Sequence, residues 1–94
     1  MGRAIWKYPL DLKGVQTVEM PEGAEILSVQ TQTHSGRVCL WALVSTQVPL
    51  SNRRIHIHGT GHPTVMQRGA FVGTVQTPDG FVWHVFDMGE EQRG

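Results

Sequence analysis

Ninety-four residues suffice for one domain with a core, and eight basic residues balance eight acidic ones when histidine is neutral. A chain without a basic stripe or a run of like charge lacks the footprint of a phosphate-backbone binder, so nucleic acid duplexes are not expected partners. No segment reaches the roughly eighteen apolar residues of a membrane span.

The N-terminal "MGRAIWKYPLDLKG" is interrupted by Lys7 and Asp11, so it has no signal core. It also lacks the Ser or Thr that a myristoylated glycine requires. A soluble, cytoplasmic protein is expected. Within this segment "AIWKYPL" is rich in β-formers, with Pro9 placing it at an edge or a strand end. "VQTVEM" alternates, "MPEGAE" reads as a turn, and "EILSVQTQ" follows with Leu27 and Val29 on one side and Ser28 and Gln30 on the other. "HSG" closes a short hairpin loop.

"RVCLWALV" is apolar on both faces, which predicts a central strand covered on both sides with Trp41 in the core. The single cysteine, Cys39, sits inside this run and reads as a buried, inert thiol in a reducing compartment. "RRIHIH" alternates cleanly, and "GAFVGTVQT" and "FVWHVF" are two more strands joined by the turn "PDG". Along the last strand Phe81, Trp83 and Val85 form a core-facing set. The tail, residues 87–94, should fray. The whole predicts an all-β single domain over residues 1–94, a small antiparallel β-sandwich or barrel of about six to seven strands with no helix longer than about two turns.

The stretch "RRIHIHGTGHP", Arg53 to Pro63, concentrates the polar chemistry of the chain. Side chains alternate across a strand, so Ile55 and Ile57 face the core while Arg54, His56 and His58 face water, each about 7 Å from the next. "GTGHP" then offers glycines able to adopt positive φ and turn amides that can face an anion. A planar guanidinium binds phosphate through two parallel bonds, and Arg54 supplies one. His56, His58, His62, the Thr60 hydroxyl, and Gly59 and Gly61 complete a candidate anion cradle. Trp6 and Tyr8 share a face near a probable edge and are candidates for stacking on a base.

Three other readings compete. His56, His58 and His62 could be metal ligands, but the stretch supplies no carboxylate, and no metal or other cofactor is expected. The stretch could be a soluble strand and its turn. Catalysis has thin support, because no serine sits on a nucleophile elbow and a histidine pair would need opposite protonation states; no catalytic residue is assigned.

"IWKYPLDL", "MPEGAEILSVQTQ", "LWALV", "RRIHIHGTGHP" and "GTVQTPDGFVWHVF" together resemble a family of short uncharacterised proteins of tailed bacteriophages, prophages and bacteria. The resemblance runs from about Ile5 to Phe86. The family pattern retains Ile55, Ile57 and Gly59 to Pro63, whereas the position of His58 varies. It implies action in the host cytoplasm during infection and no particular reaction. Small phage proteins of this kind often inhibit host defence, some by holding nucleotide immune signals without cleaving them. The expectation is therefore an anti-defence binder of an anionic, nucleotide-derived small molecule. Alternatives are a protein–protein inhibitor or virion accessory factor, and a histidine-dependent metal enzyme. A domain this small leaves little room for a deep pocket of its own, so a homo-oligomer is expected.

Overall fold

The computed structural model describes residues 2–64 and 69–91. Its strands are β1 (Arg3–Pro9), β2 (Val15–Pro21), β3 (Glu25–Thr31), β4 (Val38–Ser45), β5 (Leu50–Gly59), β6 (Ala70–Gln76) and β7 (Val82–Glu90). They form a three-stranded sheet, β1-β4-β3, and a four-stranded sheet, β2-β5-β7-β6, with every pairing antiparallel. No helix occurs among the described residues. The fold is a small β-sandwich, with seven strands among the described residues, as the turn spacing predicts.

Alternation builds the core. Val38, Leu40, Ala42 and Val44 of β4 point at the other sheet; Val38 and Leu40 cluster with Ile55 and Ile57 of β5 and Val85 of β7, while Ala42 and Val44 belong to a second cluster. All seven are at most 2% exposed. The opposite face of β4 is not covered by a second layer: Trp41 and Leu43 are half-buried there, flanked across the ladder by Ile5 of β1. Trp41 therefore lies outside the core, because a two-layer sandwich covers each sheet on one face only. Cys39 is buried, as expected, with its thiol turned to the Gln32 side-chain carbonyl at 3.7 Å.

The structure also revises two local expectations. A bulge between Ile26 and Ser28 turns Leu27 out to 44% exposure, leaving Ile26 and Val29 to face the core. Strand pairing continues through Asp87 to Glu90, into the stretch expected to fray. Two anchors hold it: Asp87 pairs with Arg53 at 2.9 Å, and the Glu90 carboxylate accepts from the Ser51 hydroxyl and the Gly23 N–H. Residues 92–94 lie outside the described part.

Because β5 and β6 flank β7 and both run antiparallel to it, they are parallel to each other. The chain leaves β5 at one end of β7 and enters β6 at the other. Both described ends of this connection lie on the outer side of the sheet, Thr64 beside His58 and Gly69 against Met88.

Candidate functional site

The two neighbouring arginines of β5 have opposite environments. Arg53 shares the inward phase of Ile55 and Ile57 and is 6% exposed, whereas Arg54 is exposed on the outer face. Arg53 donates to the Asp87 carboxylate and to the Ala24 carbonyl, closing one end of the sandwich, while its Nε has no partner. Among the described residues Arg54 makes no ion pair. Its guanidinium is available to a ligand; that of Arg53 is structural.

Arg54, His56 and His58 follow one another along the outer face of the four-stranded sheet. Register sets their neighbours: Thr17 lies opposite Arg54, Val15 and Phe86 flank His56, and His84 lies opposite His58. Phe71 extends the His56–Phe86 row, edge-on to Phe86 with ring centres 5.4 Å apart, and is 60% exposed. The face therefore combines cationic and aromatic groups.

Within it His56 is unusual. Its ring stands edge-on to that of His58 at 5.8 Å, and both of its nitrogens are buried without a hydrogen-bond partner. Burial holds the imidazole below its ordinary pKa, and the nearby His58 and Arg54 push it the same way. His56 is thus neutral at pH 7, with one N–H and one lone pair to offer. His58 Nε2 lies 3.3 Å from the Thr64 hydroxyl. His84 is held between two hydroxyls, Thr60 at 2.7 Å on Nε2 and Thr74 at 3.0 Å on Nδ1.

The glycines of the following turn act differently from each other. Gly61 adopts φ +83° and lets the chain reverse, while Gly59 serves close approach: a Cβ there would sit 2.5 Å from His62 Nδ1. The turn spends much of its own hydrogen-bonding capacity. The His62 N–H donates to the Gly59 carbonyl, the Thr60 N–H to the Val82 carbonyl, and the Thr60 hydroxyl is taken by His84. His62 lies at the end of the sandwich, edge-on to Trp83 at 6.2 Å. His62, Thr60 and Gly59 line a cleft of about 290 Å³ with Phe81 and Trp83.

Trp6 and Tyr8 do not join this surface. They pair with Ala42 and Leu40, so they face the interior from the edge strand of the other sheet. Trp6 remains 42% exposed beyond the core. The Tyr8 hydroxyl is buried without a partner, and burial raises its pKa. Among the described residues no three His, Cys, Asp or Glu side chains converge as a metal-binding group would. Phe71, Phe86 and His84 were not among the residues expected at the anion site, and Phe81, expected to face the core with Trp83 and Val85, is 59% exposed in the turn before β7. The first three were recoverable only once register placed them beside His56 and His58, and Phe81 once the turns were placed.

A family model described as a domain of unknown function, DUF7352, matches residues 1–94. No curated protein and no solved structure matches the chain. Among the described residues no helix is long and apolar enough to cross a membrane.

Proposed function

Because the chain belongs to the DUF7352 family, a domain of unknown function, its role must be read from its own residues, and we propose that it is a non-catalytic binder of an anionic, nucleotide-derived small molecule. The observation that carries this reading is His56. Buried polar atoms in folded proteins are almost always bonded, and two orphaned ring nitrogens between Arg54 and His58 call for a partner from outside the fold. An anion meets the donor half of that demand: it accepts the one N–H of neutral His56 and the fork of Arg54 at one surface. In the phage setting that the sequence pattern implies, the ligand is a host nucleotide signal, held intact and so withdrawn from its receptor.

The test is native mass spectrometry with adenosine diphosphate and a cyclic dinucleotide as probes, on the wild type and on Arg54→Ala and Arg54→Lys. Losing a charge-assisted, two-point contact costs about 2–4 kcal/mol, a roughly thirty- to nearly thousandfold weakening for Arg54→Ala. Arg54→Lys should lose much of the same, since an ammonium cannot reproduce the fork. The released nucleotide should have its starting mass. Equal affinity in Arg54→Ala, or a cleaved product, would contradict the proposal.

A second surface favours self-association. The outer face of β1-β4-β3 carries Ile5 (60% exposed) and Leu27 (44%) beside half-buried Trp41 and Leu43, an apolar patch suited to a second copy or to a protein target.

A further inference from the structure

The cleft beside the Gly59–His62 turn is built from three rings. Trp83 is its floor: its inner face packs on the core and its indole N–H donates to the Thr77 hydroxyl at 3.2 Å, which fixes the ring. His62 forms one wall at 77° to that floor, seated over Gly59 where any Cβ would exclude it. Phe81 forms the other wall, tilted 51° to Trp83 at 6.3 Å. The Phe81 ring is 59% exposed although its backbone is held firmly. Its N–H donates to the Asp79 carboxylate, and its carbonyl accepts the Thr77 N–H at 2.9 Å. A large ring kept in water by a well-anchored turn is a surface awaiting cover.

We propose that this cleft receives a single nucleobase, stacked between Phe81 and His62 above Trp83. Size selects the ligand. At about 290 Å³ the space lies at the lower limit of small-molecule pockets, enough for one planar ring system and too small for a dinucleotide. Chemistry selects it too, since aromatic walls bind any base by its π-face. The position connects with the anion-binding surface, on which this inference rests for the remainder of the ligand. Thr60 lines the cleft and bonds His84, and His84 lies directly across the ladder from His58. A base in the cleft thus has its sugar side at the sheet end, next to His84 and His58, from which the row His56 and Arg54 continues along β5. The nucleobase contact moves from Trp6 and Tyr8, which belong to the other sheet, to the end of β5 and β7.

The experiment is a two-dimensional ¹⁵N–¹H titration of the tryptophan indole resonances, with the Trp83 signal identified by elimination in Trp6→Phe and Trp41→Phe. The probes are adenosine, guanosine, cytidine and uridine, which carry a base without phosphate, and ribose phosphate, which carries phosphate without a base. At least one nucleoside should shift the Trp83 indole resonance. Phe81→Ala, at an exposed site and folded by circular dichroism, should bind that nucleoside about five- to 150-fold more weakly while binding ribose phosphate as before. Arg54→Ala should do the opposite. A Trp83 response to nucleosides with no binding of ribose phosphate would refute the anion surface and leave the cleft standing. No Trp83 shift with any nucleoside at millimolar concentration, or unchanged nucleoside affinity in Phe81→Ala, overturns the proposal.

Discussion

Replacing Arg53 and Arg54 separately by methionine tests the assignment of the two residues most directly. The Arg53 side chain is 7% exposed and its partner Asp87 19%, so this is a buried ion pair. Methionine keeps the apolar stem but removes the charge, leaving the Asp87 carboxylate and the Ala24 carbonyl without their guanidinium donors. Breaking one side of such a pair costs about 3–5 kcal/mol. The lower end applies here, about 3 kcal/mol, because Asp87 keeps some contact with water and still accepts the Gly89 N–H at 2.9 Å. A domain of this length is stable by roughly 5–14 kcal/mol, so the loss is a large share. It corresponds to a fall in Tm of about 12–24 °C. Arg54→Met, on the outer face, should stay within about 0.5 kcal/mol of wild type. Calorimetry and urea unfolding read both. A double variant, Arg53→Met with Asp87→Leu, should recover most of the loss, because a buried pair replaced by apolar groups of similar size is often neutral or better. If the two single variants were equally stable within about 0.5 kcal/mol, or Arg54→Met were the more damaging, the inward phase of Arg53 would be refuted.

Ile57 is 2% exposed, and Ile57→Ala should cost about 2–5 kcal/mol in urea unfolding; a cost under about 1 kcal/mol would remove it from the core. The lowered pKa of His56 means that on acidification the unfolded chain takes up its proton before the folded one does. Stability from this residue is therefore complete above the ordinary histidine value of 6.5 and is lost as pH falls from 6.5 toward the folded pKa; His56→Phe should flatten that part of the Tm–pH curve, and an unchanged slope would count against it. Gly59→Ala would bring a Cβ to 2.5 Å from His62 Nδ1, so it should displace the imidazole and weaken nucleoside binding while leaving Tm within a few degrees, since the ring is at a surface turn and alanine suits a strand backbone better than glycine. Light scattering should find a dimer or larger assembly at micromolar concentration that Trp41→Glu dissociates; a monomeric wild type would reject the apolar patch as a contact between copies.

Alternation was legible where one face of a strand is clearly apolar. Ile55 and Ile57 fixed the phase of β5, and with it the outward row Arg54, His56 and His58. The same phase places Arg53 inward, yet a charge reads as solvent-facing until its partner is known, and Asp87 is thirty-four residues away. Trp41 failed for the opposite reason: hydrophobicity measures a demand for cover, not whether the fold supplies it. Cross-strand neighbours such as His56 and Phe86 depend on strand order, which local pattern does not encode. The turn glycines were recognisable as a pair, but only coordinates separate Gly61, needed for its φ, from Gly59, needed for the room it leaves to His62.

The position of β7 sets the order in which this protein can come into being. Strand β7, the last of the described strands, lies in the interior of the four-stranded sheet, between β5 and β6. Until residues 82–90 leave the ribosome, β5 lacks a partner on one side and β6 has no partner in its sheet. The β5–β7 pairing is distant in sequence and slow to form, because the chain entropy between the strands must be lost before the contacts repay it. Trp83, His84, Phe86 and Asp87 all arrive on that strand. A chain that lacks residues 82–90 therefore contains neither the His56–Phe86 row nor the floor of the cleft, and under the proposed function it should bind neither probe.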